Sequence, residues 1–367
     1  MKIPYVNTNL QWKKEKNILL KIIDKTLEND DWVGGKNIQI FEKSIAKKCN
    51  TKYAVSLNSG TDALTLGLHL LGVRRGDEVI TTPNSFIAST AVIVHLGAKP
   101  VFVDVLDDQN INPELLEKAI TKKTKAIMPV HLTGRMSEMF EIMKIAKKHN
   151  IPVIEDAAQA VGSLYHNKPA GSFGKIGCFS AHPLKNLNAI GDAGYLTTNN
   201  RNIYNKVLEL RSHGMVNRNK IQNFGHVSRM DNLQAAVLNY RLKDLKNIII
   251  KRRKNAELYI KYLDPKKIFI PAEKKYQYNA YHTFVIQIDK RDKLQQYLKR
   301  NNISTAIHYP IPIHLQPAAK RFGHKVGSFK NTERQAKRIL TLPVNQFLKK
   351  EDIKKISEKI NYFFIKN

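Results

Sequence analysis

The chain has 367 residues, enough for one large core and a smaller second domain, and its 42% hydrophobic content is that of an ordinary globular protein. Its two cysteines, Cys49 and Cys178, exclude a disulfide framework or zinc-type ligand set, and no apolar stretch reaches the ~18 residues of a membrane span. A cytoplasmic protein with no metal and no membrane partner is expected. The net charge of +30 is mostly lysine scattered along helical segments such as 13–25 and 243–254, without arginine-rich or aromatic-interleaved clusters. It describes a solvated surface able to steer an anionic substrate. No nucleic-acid partner is expected, and a basic nucleic-acid-associated scaffold is the remote alternative.

Residues 1–30 read as an arm and a polar amphipathic helix. Ile38, Phe41 and Ile45 fall on one side of a predicted helix over 37–49. From Ala54 the pattern is strand, tight glycine turn, helix. Short and almost wholly apolar strands follow at 78–82, 100–105, 126–130 and 152–156, separated by segments that include helices over 113–120 and 136–149. Such alternation predicts a parallel sheet covered on both faces. The stretch 172–198 departs from it, with strand-like G-K-I-G-C-F-S and A-G-Y-L-T-T flanking a serine- and histidine-rich turn. A basic helical pattern over 230–260 leads to a second domain of α+β character. That domain reads as a strand over 281–288, a helix over 291–300, a strand over 303–309, a proline loop, and helices over 331–339 and 351–363. The expected division is an arm at 1–30, a large domain at 31–250 and a small domain at 251–367.

Two segments carry most of the chemistry. V-I-E-D-A-A-Q-A ends an apolar run at Asp156, and F-S-A-H-P-L-K-N-L places Lys185 in the polar turn that follows. A buried carboxylate at a strand end and a lysine on a later loop are the two handles an enzyme needs on pyridoxal phosphate. The lysine holds the aldehyde as a Schiff base, and the carboxylate keeps the pyridine nitrogen protonated so that the ring acts as an electron sink. The turn Asn58-Ser59-Gly60-Thr61-Asp62 offers backbone N–H groups, hydroxyls and a glycine that permits close approach. These suit one phosphate, although the turn has neither P-loop nor dinucleotide-binding spacing and is otherwise a plain helix cap.

Phe86 reads either as a core aromatic or as a plate for a cofactor ring. Gln159 is spaced to reach the cofactor's phenolic oxygen from the Asp156 stretch, and Ser180 offers a further hydroxyl to the phosphate. His182, three residues before Lys185, orients a substrate hydroxyl or caps the loop. In His308-Tyr309-Pro310-Ile311-Pro312-Ile313-His314 the two histidines have no third ligand at zinc spacing. The segment reads as a rigid loop presenting polar rings to a sugar or nucleotide, or as a domain-packing loop.

Ordered blocks run through the chain: W-V-G-G-K at 32–36, N-S-G-T-D-A-L at 58–64, G-D-E-V-I-T-T-P at 76–83, P-V-F-V-D-V at 100–105 and P-V-H-L-T-G at 129–134. The Asp156 and Lys185 segments follow, then S-R-M-D-N-L-Q-A-A at 228–236, H-Y-P-I-P-I-H-L-Q-P at 308–317 and L-T-L-P-V at 340–344. With these blocks, essentially the whole chain resembles the DegT/DnrJ/EryC1/StrS family of nucleotide-sugar aminotransferases. The resemblance implies an α/β protein of the aspartate-aminotransferase-like fold (fold type I), with a large, mostly parallel-sheet domain and a smaller α+β C-terminal domain.

The resemblance also implies pyridoxal 5′-phosphate as cofactor and assigns roles. Lys185 carries the cofactor, Asp156 partners the pyridinium nitrogen, Gln159 bonds the ring oxygen and Phe86 stacks on the ring. Gly60, Thr61 and Ser180 bind phosphate, and the loop with His308, Tyr309 and His314 lies near the sugar nucleotide. It further implies a homodimer with shared active sites, in which the segments Trp32–Lys36 and around Arg229 approach the neighbour's cofactor or substrate. Gly225-His226-Val227-Ser228-Arg229 departs from the family's G-x-N-x-R. Valine cannot donate to a phosphate, so that contact is replaced, by Arg229 or His226, or is absent. The implied reaction is a ping-pong transamination from an amino donor, most often L-glutamate, to a keto-sugar nucleotide. The reading leans towards a 3-keto-6-deoxy sugar, with a 4-keto sugar or a keto-cyclitol as alternatives. Relatives that dehydrate sugars carry histidine in place of the lysine, and Lys185 weighs against that chemistry.

Overall fold

In the computed structural model, which describes residues 2–28 and 32–366, seven short strands build the central sheet. They are β1 (Tyr53–Leu57), β2 (Glu78–Thr81), β3 (Lys99–Phe102), β4 (Thr124–Ile127), β5 (Ile154–Asp156), β6 (Ile176–Ser180) and β7 (Gly194–Thr198). Pairing runs β3-β2-β4 on one side and β5-β6-β7-β1 on the other. The parallel bridges Ile127–Val153 and Val130–Asp156 join the halves between β4 and β5. All neighbours are parallel except those of β7, which is antiparallel to both β6 and β1. The chain reverses there because β6 and β7 are joined directly by the Lys185 loop, without the helical crossover that a parallel return requires.

Side chains alternate across each strand, and here both faces are buried. Ala54, Ile80, Ile127, Val153, Phe179 and Tyr195 enter one apolar cluster. Val55, Val79, Ala126, Ile154, Cys178 and Leu196 enter a second. This double burial is why the strands read as continuous apolar runs. Both cysteines are buried free thiols.

The helices that matter for the site are α1 (Thr8–Glu28), α2 (Lys36–Lys48), α3 (Gly60–Leu70), α4 (Ile87–His95), α5 (Met139–Lys148), α6 (Arg201–Leu210), α7 (Asn232–Leu242) and α8 (Leu245–Tyr262). The single helical pattern expected over 230–260 is two helices, α7 and α8, broken at Lys243–Asp244. A third apolar cluster belongs to the C-terminal region and includes Ala256, Tyr259, Ile286, Leu298, Leu340 and Ile356. Its sheet is the antiparallel pair β8 (Phe284–Gln287) and β9 (Ile339–Leu342).

The expected boundary at 250 therefore falls inside α8, whose later turns serve the small core. Gln277–Tyr278 returns to the large domain by pairing with Leu164–Tyr165. The expected strand over 303–309 reduces to single bridges, Ile303 to Ile3 and Ala306 to Thr341, because the segment then turns His308 and Tyr309 towards the large domain. Ile3 of the arm joins the small core. The expected junction of arm and large domain, at 30–31, lies outside the described residues. No helix among the described residues is long and apolar enough to cross a membrane.

Candidate active site

The carboxyl ends of parallel strands are where open α/β sheets leave a crevice, and this chain places its polar motifs there. Asp156 ends β5, Ser180 ends β6, Gly60 follows β1 and Phe86 follows β2. Together with the Lys185 loop and His308-Tyr309 they enclose a cavity of about 420 Å³.

Asp156 is held from both sides. Its Oδ2 accepts from the Ser89 hydroxyl at 2.7 Å, and its Oδ1 accepts from the Ala158 N–H at 3.2 Å. Its backbone carbonyl accepts from His131 N–H at 2.9 Å. The preceding Glu155 points the opposite way, as alternation demands. Its carboxylate accepts from His131 Nε2 (3.0 Å) and from the N–H groups of Gly171 (2.8 Å), Phe173 (2.7 Å) and Gly174 (2.7 Å). One carboxylate thus anchors the strand end while the next faces the cavity.

Lys185 sits in a braced loop. Its N–H donates to the His182 carbonyl at 2.8 Å. Asn186 Nδ2 donates to Ala280 O (2.9 Å), and Asn188 Nδ2 donates to Pro183 O (2.7 Å). Arg241 of α7 donates to the carbonyls of Asn188 (2.7 Å) and Ala189 (3.1 Å) and pairs with Glu15 of α1 at 2.6 Å. Burial pushes the Lys185 amine down to about 8, with the negative Asp156 pulling the other way. An amine that is partly neutral near neutral pH is a competent nucleophile and proton carrier.

At the other end of the cavity lies the N-terminus of α3. Ser59 is its N-cap, the hydroxyl accepting from Asp62 N–H at 3.1 Å. The first N–H groups of a helix have no acceptor one turn earlier, so those of Gly60 and Thr61 are available to an anion, with the helix dipole behind them. The turn is pressed against the sheet. A Cβ on Gly60 would lie 2.8 Å from Ser180 Cβ, and one on Gly194 would lie 2.2 Å from the Ser59 carbonyl carbon. Ser180 thereby comes beside the turn. These residues fit pyridoxal phosphate, with donors for a phosphate at one end, a carboxylate for the ring nitrogen beside Ser89, and a partly neutral lysine within the same walls.

Phe86 is 56% exposed and lines the cavity, its ring centroid 6.1 Å from that of Tyr309. The core alternative for Phe86 does not describe this placement. Gln159 lines the cavity with its Oε1 accepting from Thr133 N–H at 2.8 Å. Burial, aided by the Asp156 charge, pushes the Tyr309 hydroxyl up to about 12, against a hydrogen bond from Gln159. Burial and then the Lys185 charge hold His308 down at about 4. His182 is exposed at the mouth.

Two expected residues stand elsewhere. His314 is 1% exposed and does not line the cavity. Its Nε2 meets Glu333 at 3.0 Å, and its ring packs edge-on against Phe329, centroids 4.7 Å apart. It pins the proline loop to the small domain, because the turn after Pro312 rotates it away from His308. Arg229 is also outside this chain's cavity, with its Nε buried and unpartnered among the described residues.

Ser89, Asp192 and His282 line the cavity although the sequence reading did not single them out. Ser89 lies one helical turn beyond Phe86, a spacing that carries a signal. His282 interrupts an otherwise apolar strand block, which is a weaker one.

The sequence profile of the DegT/DnrJ/EryC1/StrS aminotransferase family matches residues 13–361. The chain is 37% identical to a "pleiotropic regulatory protein" of Geobacillus stearothermophilus, over 99% of both sequences. It is 36% identical to dTDP-3-amino-3,6-dideoxy-alpha-D-galactopyranose transaminase of Aneurinibacillus thermoaerophilus, over 98% of this chain and 99% of that one. The crystal structure of S. venezuelae DesV in complex with a ketimine intermediate superposes with a TM-score of 0.96 at 32% identity, covering 99% of this chain and 98% of DesV. Solved relatives carry the cofactor in its PLP or PMP form. The chain belongs to the DegT/DnrJ/EryC1/StrS aminotransferase family and is a pyridoxal-phosphate-dependent sugar aminotransferase.

Proposed function

We propose that this enzyme transfers an amino group from L-glutamate to the C3 carbonyl of a nucleotide-linked 3-keto-6-deoxy sugar, working in the cytoplasm as a homodimer with shared sites. The observation that carries the reaction class is the convergence of Lys185 and Asp156 on one cavity whose far end is the N-terminus of α3. The sugar assignment draws on the relative named for a 3-amino-3,6-dideoxy product.

When bound, pyridoxal phosphate supplies the electron sink for carbanion chemistry at the donor's α-carbon. Asp156 holds the proton on the ring nitrogen, and Ser89 keeps that carboxylate aimed. Gly60, Thr61 and Ser180 would hold the phosphate, Phe86 would shield the ring from water, and Gln159 would donate to its phenolic oxygen. Lys185 Nζ takes the proton from the donor's α-carbon and later returns one to the sugar carbon that receives the amine. His182 at the mouth and His308 and Tyr309 on the wall meet the sugar nucleotide, whose negative charge the basic surface attracts.

The dimer rests on an apolar surface. Trp32, Val33, Val216, Ile221, Phe224 and Val227 are all exposed, and Val33 bridges to Asp231 beside Arg229. Exposed apolar groups that gather into a large patch mark an interaction surface, which supports a partner here. In this dimer Arg229 serves the partner's cofactor or substrate.

A glutamate-driven assay against 3-keto and 4-keto dTDP- and UDP-sugars, with product NMR locating the new amine, tests the proposal. Amination at C3 is expected. Amination solely at C4, or of a keto-cyclitol alone, replaces the substrate assignment.

A further inference from the structure

Gln159 is buried in the cavity wall with one end of its amide already taken. Its Oε1 accepts from the Thr133 N–H at 2.8 Å. The reverse orientation would set Nε2 against that N–H, two donors facing each other. The amide is therefore fixed with its Nε2 hydrogens turned away from Thr133, and it donates to the Tyr309 hydroxyl on the same wall.

Thr133 supplies that N–H from an unfavourable backbone. Its φ of 64° and ψ of −1° lie in the left-handed region, where a β-branched residue is a rare outlier that persists only when its surroundings enforce it. They do so here from several sides. The Thr133 carbonyl accepts from Thr283 N–H at 3.3 Å, and the Gly134 carbonyl accepts from Ala280 N–H at 2.9 Å and from the Ser163 hydroxyl at 2.7 Å. Leu132 N–H donates to Asn110 Oδ1 at 3.1 Å, and Arg135 N–H closes the turn onto the Leu132 carbonyl at 3.0 Å. Gly134, at φ +88°, has no space for a side chain, since a Cβ there would lie 2.8 Å from His282 N and 3.1 Å from Gln159 O. Four separate segments thus hold a strained turn whose Thr133 N–H is spent on a residue of the cofactor cavity.

We infer that Thr133 is a positioning residue, whose left-handed backbone fixes the Gln159 amide so that only a donor can face the cofactor's phenolic oxygen. The inference rests on the reading of this cavity as a pyridoxal-phosphate site with Gln159 at that oxygen. The orientation has a chemical consequence. The phenolic oxygen carries negative charge beside the nitrogen of the Schiff base made with Lys185 Nζ. A donor on that oxygen draws charge away from the nitrogen and lowers its proton affinity. An amide carbonyl turned to the same place would repel the oxygen and raise it.

That proton affinity is read without turnover, by titrating the absorbance of the loaded enzyme against pH. Replacing Thr133 by the matching α-hydroxy acid turns the 132–133 amide into an ester, which removes the N–H and keeps the side chain. The Schiff-base pKa should rise by about 0.5–1, the scale of one lost hydrogen bond. Cofactor affinity of the cofactor-free ester protein, measured by equilibrium dialysis, should fall about 3- to 10-fold. Gln159→Leu is the reference and should raise the pKa at least as far. Where the ester protein does not fold, Asn110→Ala decides, because it releases the turn at Leu132 N–H from a side chain that does not line the cavity, and its pKa should rise in the same direction. A wild-type titration in the deciding protein beside a raised one in Gln159→Leu overturns the positioning role and leaves Gln159 at the phenolic oxygen. A wild-type titration in Gln159→Leu overturns the inference and the placement of Gln159 together.

Discussion

The Ser89 hydroxyl donates to Asp156 Oδ2 at 2.7 Å, fixing the carboxylate in the cavity wall from a helix position 67 residues earlier in the chain. Asp156 acts through its charge, and Ser89 acts through Asp156. Asp156→Asn should fold normally and lose roughly 10²–10³ in single-turnover rate, the scale of removing a preorganised electrostatic group. Ser89→Ala should weaken cofactor affinity about 10-fold, read by equilibrium dialysis, with Ser89→Thr restoring most of it. Near-normal turnover in Asp156→Asn would reduce that residue to a strand end.

Gly194 faces the phosphate turn. A Cβ there would meet the Ser59 carbonyl carbon at 2.2 Å and Gly60 N at 2.4 Å, both backbone atoms that have no rotamer to give. Gly194→Ala should cost about 1–3 kcal/mol in urea unfolding, with a larger proportional loss of cofactor affinity because the α3 terminus moves. Full cofactor affinity in this variant would show that the turn does not hold the phosphate.

Lys185 is pushed down to about 8 from an ordinary 10.5. Between these values the unfolded chain binds more protons than the folded one, so stability of the cofactor-free protein rises with pH across that window. The penalty is complete below about 8 and vanishes above 10.5. Lys185→Met should therefore stabilise the cofactor-free chain by up to about 3 kcal/mol at pH 7, and the gain should fade by pH 10.5. Denaturant titrations at several pH values will measure it, and a gain independent of pH would assign it to packing.

Shared sites predict complementation. Inactive Lys185→Ala subunits mixed with Arg229→Ala subunits should recover about a quarter of wild-type activity per site, since random mixing leaves one intact composite site in each mixed dimer. A fully active monomer in sedimentation would rule this out.

His314 is a packing residue. His314→Phe should lower stability by about 1–3 kcal/mol through the lost Glu333 bond and leave the KM for the nucleotide sugar unchanged. A raised KM with intact stability would return His314 to the substrate site.

The features readable along the chain are local ones. The seven strands were legible because both sheet faces are buried, leaving continuous apolar runs broken by turn residues. Asp156 and Ser180 were legible for the same reason, each being the polar residue at which such a run stops, and Gly60 because it sits in the tight turn just after one; a crevice opens where parallel strands end. Lys185 stood out as a cation in the serine- and histidine-rich turn between two strand-like runs.

Tertiary structure decided the rest. His308 and His314 share one loop, yet one faces the cavity and the other pairs with Glu333, because the rotation between them depends on how the loop docks. The strand expected over 303–309 dissolved for want of a partner, and β7 reversed because a loop, not a helix, joins it to β6. Ser89 and His282 are ordinary residues in their own segments. Their importance arises only where helices and strands far apart in sequence bring them to Asp156 and Lys185, and periodicity along a chain reports which face a residue occupies but not what that face meets.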